Sequence, residues 1–358
     1  MTQYPFDTLN YKANLLSFNN PSEAALLEQY WLNDSIEKYD TIELQLREYI
    51  KIKQVGKVLS EEIMSDHIHS LLNNQPIEKY GVWAYYGWSK RLVHLLPKEA
   101  FIELRTNRNK LKITAEEQNL LATKKVGIIG LSVGQSVALT MAMERVCGEL
   151  RLADFDTLDL SNLNRLRAGV HQIGMPKVII AAQEIAEIDP YLDVTIFPEG
   201  ITDKNMDDFL GSGESKLDVL VEVCDGLDIK IKARKAARNK QIPVLMDTND
   251  RGMVDIERFD LEPLRKLLHG FIDEDLILTN FTPEERLQLL MKMVSFENIS
   301  TRLKQSLPEM GKSIVAFPQL ASSVMLGGGV TTDICRRILL QQVVPSGRYY
   351  IDFDKLIS

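Results

Sequence analysis

The chain has 358 residues, 45% apolar and 26% charged, with a formal net charge of −8. That is enough apolar chain to bury a substantial core, as one large or two modest domains. The acidic balance argues against an extended nucleic-acid surface.

Three widely spaced cysteines, Cys147, Cys224 and Cys335, form no CxxC pair. This argues against a zinc knuckle and fits a reducing, cytoplasmic setting. The opening MTQYPFDTLN lacks the basic-then-apolar order of a signal peptide. The uncharged stretch 313–332 contains Pro318, Gly327, Gly328 and Gly329. It reads as a buried core segment, and a soluble protein without membrane contact is expected.

In chain order, residues 1–100 are expected to form a helical region. Asn20 before Pro21 is an N-cap signal, Asp40 with Glu43 has capping-box spacing, and apolar residues recur at helical period to Leu72. The aromatic run GVWAYYGWSKRLVHLL, with Trp83 and Trp88, reads as a packing surface against the next domain. Residues 101–260 open with a short helix capped by Thr114 and Glu117, and then alternate. KVGIIG, ELRLAD, DVTIF, LDVLVEVC and PVLMD read as strands; GQSVALTMAMER, the segment from Pro176 to Ile188, and DIKIKARKAARNK read as helices. Such alternation predicts an α/β fold with a doubly wound, mostly parallel sheet, a Rossmann-like core. Residues 261–358 are expected to complete that core and supply a dimer or substrate surface. There Thr282-Pro283-Glu284-Glu285 opens a helix and RYYIDFD reads as a closing strand. In the basic helix, Lys230, Lys232, Lys235, Arg238 and Lys240 read as a solvated face rather than a grip on RNA.

The chemistry concentrates after the first strand. Gly130, Ser132 and Gly134 lie in a turn that enters a helix, an arrangement that aims backbone N–H groups at phosphate. Asp154 ends the next strand roughly 20 residues further on, where a carboxylate accepts from ribose hydroxyls. In the SNLNR run, Asn162 and Asn164 offer amide donors and Arg165 a cation; Lys177 follows at a helix start. Two cations and two amides suit a polyphosphate, and Asp225, after the strand LDVLVEVC, suits Mg²⁺ shared with phosphates. Asp159 reads as a plain loop carboxylate.

The order of glycine turn, DFD, SNLNR, IGxxK and Asp after an apolar strand resembles the ThiF/MoeB/HesA family of ubiquitin-activating-type adenylating enzymes. The resemblance spans about residues 104–259, with a weaker match over 311–340. It implies adenylation of a carboxylate with MgATP, the carboxylate belonging to a ubiquitin-like or sulfur-carrier protein, a peptide or a small molecule. It also implies a homodimer. By position, Asp154 would bind ribose; Asn164, Arg165 and Lys177 would engage phosphates; Asp225 would serve Mg²⁺. The RTNRN segment resembles the family's RxxRQ element, which makes Arg108 a cation supplied to the partner's ATP. Departures are GLSVGQ for GxGGxG, Leu166 for the glutamine of NRQ, and Gly226 for the asparagine of DN. No cysteine lies between Gly226 and Cys335, so adenylation without a thioester step is expected. Two other readings are a silent nucleotide-binding module and a nicotinamide oxidoreductase. The second would leave SNLNR, Lys177 and Asp225 without a role.

Overall fold

The computed structural model describes residues 10–273 and 282–357. It divides into two compact units. Of the described residues, one comprises 10–115 together with Ala186–Tyr191; the other comprises Glu116–Ile185 and those from Leu192 onward.

The first unit is α+β. Its elements are β1 (Asn14–Leu16), α1 (Pro21–Leu32), β2 (Glu37–Asp40), α2 (Ile42–Lys53), α3 (Glu61–Leu72), β3 (Val82–Tyr86), β4 (Arg91–Leu95) and α4 (Lys98–Arg105). Asn20 caps α1 by accepting from the Ser22 N–H at 3.1 Å. Helices α2 to α4 bury Ile42, Leu46, Ile50, Met64, Ile68 and Leu72 with Leu96 and Ala100. The expectation of a wholly helical region is corrected by a four-stranded sheet, ordered β1-β3-β4-β2. The aromatic run is its β3–β4 hairpin: VWAYY and RLVHL are rich in residues that favour a pleated surface, and Gly87 to Lys90 make the turn. Trp83 is buried within this unit, stacked on His94 with ring centroids 4.2 Å apart. Asp40 keeps part of its expected role. It ends β2 and Thr41 takes the cap position of α2, while Asp40 Oδ1 accepts from the Ile42 N–H at 3.2 Å and lies 2.9 Å from His94 Nδ1.

The second unit holds α5 (Ala115–Leu121), β5 (Lys125–Ile129), α6 (Gly134–Glu144), β6 (Glu149–Ala153), α7 (Lys177–Ile188), β7 (Asp193–Phe197), α8 (Met206–Leu210), β8 (Val219–Glu222), α9 (Leu227–Asn239), β9 (Val244–Asp247) and β10 (Met253–Glu257). After these come α10 (Pro283–Val294), α11 (Thr301–Ser306), α12 (Ala321–Leu339), β11 (Gly347–Tyr350) and α13 (Phe353–Leu356). The two helices α5 and α7 cross the unit boundary by one to a few residues. The seven-stranded sheet runs β11-β10-β9-β8-β5-β6-β7; the five strands from β9 to β7 are parallel, and β10 pairs antiparallel with both β9 and β11. This is the expected α/β fold. The continuous apolar strands follow from burial on both faces: every residue of β8 and β9 is buried. Segment 313–332 is core only in its second half, where α12 buries Val324, Gly327, Gly328, Thr331 and Thr332. Among the described residues no helix is long and apolar enough to cross a membrane.

This unit buries two charge arrangements of opposite consequence. Glu222, at the end of β8, pairs with Lys230 at 3.0 Å and with Arg234, both from α9; Arg234 also reaches Glu257 of β10 at 2.7 Å. Lys230 therefore leaves the solvated face expected of α9, because a fully buried carboxylate needs it. Lys232 and Lys240 stay at the surface against Asp203 and Asp207. The second arrangement is solitary. Asp247 ends β9 and is 4% exposed; its Oδ1 accepts from the Asn249 N–H at 2.9 Å, and its Oδ2 has no partner among the described residues. It fills the space that a Cβ on Gly327 would need. Burial pushes this carboxyl up to about 6.

Arg234→Ala should destabilise the chain by about 3–5 kcal/mol, because two buried carboxylates lose their shared cation. Denaturant unfolding reads this directly. Asp247 binds its proton more tightly folded than unfolded, so its stability contribution is full below about pH 4 and falls as pH rises through about 6. Asp247→Asn should accordingly raise stability near neutral pH, by at most about 3 kcal/mol, and do little at about pH 4.

Candidate nucleotide-binding site

The site lies at the carboxyl edge of the parallel strands, where the chain leaves β5 and β8 in opposite directions and opens a crevice. Gly130, at the end of β5, adopts φ +90°, and a Cβ there would fall 2.8 Å from the Cys224 backbone. Only glycine permits that left-handed turn so close to the end of β8. The turn then feeds α6, which begins at Gly134.

Asp154 follows β6 and is 7% exposed. Its Oδ2 accepts from the Leu131 N–H at 2.6 Å and its Oδ1 from the Asp156 N–H at 2.7 Å. Burial raises its pKa, while these backbone donors and the Lys177 charge pull it down. Each carboxylate oxygen keeps acceptor capacity beyond its one backbone bond, so the group can still take a hydroxyl. Lys177 is the first residue of α7, buried, with Nζ 2.9 Å from Asp156 Oδ2. Asp156 is thus the counter-charge of a candidate phosphate cation.

The SNLNR run forms a 3₁₀ turn, Leu160–Asn164. Arg165 follows it, donating from Nε and Nη2 to Ser132 Oγ at 3.2 and 3.0 Å, and from Nη1 to Asn164 Oδ1 at 2.9 Å. Burial lowers the Arg165 pKa, and the nearby Asp225 carboxylate opposes this. Asn164 donates to the Gln319 carbonyl at 2.8 Å. Gly130, Ser132, Asp154, Asn164, Arg165, Lys177 and Asp225 therefore share one edge. Asn162 is the exception: it is buried and its Oδ1 accepts from the Asp159 N–H at 3.0 Å, so it closes the 3₁₀ turn that Asp159 caps. Arg108 belongs to the other unit, exposed on the 3₁₀ turn Asn107–Asn109.

Two contacts escaped the sequence reading. Gln135, 4% exposed, donates from Nε2 to the Arg167 carbonyl at 2.8 Å and accepts the Arg167 N–H on Oε1 at 2.9 Å. The sequence shows this residue only as a departure from the glycine pattern. The other is Gln319, whose backbone role leaves no sequence signal.

The chemistry fits a nucleotide with its metal shared between protein and phosphates. Among the described residues no group of three or more His, Cys, Asp or Glu side chains could hold a metal, so Asp225 would act as one oxygen ligand beside phosphate. Of the cysteines, Cys147 and Cys335 are buried; burial pushes the Cys147 thiol up to about 12 and raises those of Cys224 and Cys335. None is poised as a thiolate.

Residues 106–249 match the model of the ThiF family. The uncharacterized protein MT1398 of Mycobacterium tuberculosis (strain CDC 1551 / Oshkosh) is 42% identical over 285 residues, which make up 79% of this chain and 39% of that protein. The chain thus spans well under half the length of this relative. The tRNA threonylcarbamoyladenosine dehydratase of Bacillus subtilis (strain 168) is 26% identical over 251 residues, 66% of this chain and 97% of that enzyme. The crystal structure of PaaA shares the fold, with a TM-score of 0.50 and 21% identity over 85% of this chain and 96% of that one. Residues 106–249, which carry the glycine turn, the SNLNR run, Lys177 and Asp225, are thus a ThiF-family region within this chain.

Proposed function

We propose that the chain is an ATP-dependent adenylating enzyme that activates a carboxylate as an acyl-adenylate. The observation that carries this reading is the convergence of Arg165, Lys177, Asp154 and the Gly130 turn on one sheet edge. Asp154 takes the ribose hydroxyls. The α6 N-terminus and the two cations face the phosphates, with Asn164 orienting Arg165. A carboxylate oxygen of the substrate attacks the α-phosphorus, the bond from that phosphorus to the bridging oxygen breaks, and pyrophosphate leaves with the electron pair. Negative charge spreads over the phosphoryl oxygens during attack, and fixed cations stabilise it more than they stabilise the ground state. Asp225 would hold Mg²⁺ together with the phosphates, and the ion would supply further neutralisation of their charge. Lys177 exchanges its pairing with Asp156 for the phosphates, which keeps the buried ammonium neutralised at every stage.

The substrate is a peptide, a ubiquitin-like or sulfur-carrier protein, or a small acid, and the acyl group passes directly to an external nucleophile. The raised thiol pKa values support a pathway without a cysteine thioester. The chain works as a homodimer in which Arg108 completes the site of the second copy. A nicotinamide oxidoreductase leaves the SNLNR run, Lys177 and Asp225 without a role, and release of AMP or pyrophosphate would exclude a silent nucleotide-binding module.

In ATP–pyrophosphate exchange with a carboxylate substrate, Arg165→Ala and Lys177→Ala should each lose roughly 3 kcal/mol of transition-state stabilisation, about a hundredfold in rate. Full exchange by a folded Arg165→Ala protein would remove the assignment. For Arg108, each of Arg108→Ala and Arg165→Ala should be impaired alone, while mixing the two proteins should restore part of the activity. Mixed dimers contain one intact site only if Arg108 acts across the interface; no recovery would overturn that role across the interface.

A further inference from the structure

The glycine turn departs from the family pattern at Ser132 and Gln135, and these two side chains do something that glycine cannot. Both reach across to the SNLNR arm. Ser132 Oγ accepts two donors of the Arg165 guanidinium, and Gln135 makes a paired contact with the N–H and C=O of Arg167, in the manner of a neighbouring strand. The Arg167 side chain continues outward to Glu184 of α7 at 2.8 Å, on the helix that begins with Lys177. Arm, turn and α7 are thereby joined through a buried amide.

We propose that Gln135 and Ser132 are positioning residues: they latch the arm onto the turn so that Arg165 is held at the phosphate end of the site before nucleotide arrives. The inference rests on the nucleotide reading above. The physical case is preorganisation. The arm between Asp159 and Gly169 contains a single 3₁₀ turn before Arg165, too short to hold a side chain by its own hydrogen bonds. Arg165 would otherwise sample many rotamers, and ordering it would oppose binding. In a turn with glycine at both positions the backbone approaches the phosphates more closely. Here the space is given to a clasp, and phosphate recognition shifts from turn backbone toward the arm's cation.

The latch predicts a selective effect. Calorimetric titration of the full chain with MgATP and with AMP should show wild-type protein favouring MgATP. Gln135→Ala should weaken MgATP about tenfold, as loss of an outer supporting hydrogen bond does at comparable sites, and leave AMP binding nearly unchanged. Because Gln135 acts through Arg165, the Gln135→Ala/Arg165→Ala double variant should bind MgATP no more weakly than Arg165→Ala alone. Losses that multiply in the double variant, or MgATP affinity unchanged in Gln135→Ala, would overturn the latch. Should the alanine variant fold poorly, Gln135→Glu serves: it keeps the shape and the acceptor for Arg167 N–H, but sets a carboxylate oxygen against the Arg167 carbonyl. Amide hydrogen exchange over residues 161–167 supplies a readout independent of ligand. Exchange there should accelerate in either variant while the sheet stays protected; equal protection would count against the latch. Wild-type protein that binds no MgATP yet shows this protection would sink the nucleotide reading and spare the clasp.

Discussion

The carboxyl edge of the sheet is organised around one buried carboxylate. Asp154 takes the N–H of Leu131 from the turn after β5 and the N–H of Asp156 from its own loop. Burying that charge is costly unless several donors meet it, and backbone donors hold their place only if both segments are fixed. So the turn, the end of β6 and the Asp156 loop have one arrangement. Asp156 in turn receives Lys177, through both its backbone carbonyl and its side chain. The candidate ribose group, the turn and one phosphate cation thus depend on the same pair of hydrogen bonds.

The other side of the crevice is held by a different device. Glu222 accepts the Cys224 N–H at 2.9 Å while its oxygens meet Lys230 and Arg234. That network fixes the exit from β8 immediately before Asp225. Its charges are wholly buried and mutually paired, whereas Arg165, Asn164 and Asp225 stand partly or fully open to solvent. This contrast separates structural from functional charge. Ion pairs sealed inside the unit offer little to a ligand; Arg165, held by a serine hydroxyl and an amide oxygen, keeps its charge available, and Lys177 is paired with an Asp156 carboxylate that is half open to solvent.

Much of this was legible in the residues. The alternation of apolar strands with helices identified the parallel sheet, since strands covered on both faces must be apolar throughout. Thr282 and Glu285 do form the capping box that their spacing suggests, and Asn20 does cap α1. The failures share a cause. The strands of the first unit are three to five residues long, below the length at which a period can be read, and their aromatic content served equally well as a packing surface. Asp40 has the spacing of a cap, and its carboxylate is shared between the Ile42 N–H and His94. Lys230 looked like its neighbours on the polar face, and only the position of Glu222 turns it inward. Asn162, similar in chemistry to Asn164, faces its own turn.

Apolar period and turn chemistry are local properties, so the residues alone specify the class of fold, the edge at which a ligand would lie and the residue types available there. Tertiary structure alone decided which of those residues are joined. Gln135 and Arg167, Ser132 and Arg165, and Asn164 and Gln319 are far apart in the chain, and a hydrogen bond between such partners leaves no periodic trace. What reads along the chain as a degenerate glycine turn becomes, once α6 and the SNLNR arm lie side by side, a pair of side chains that grip the arm.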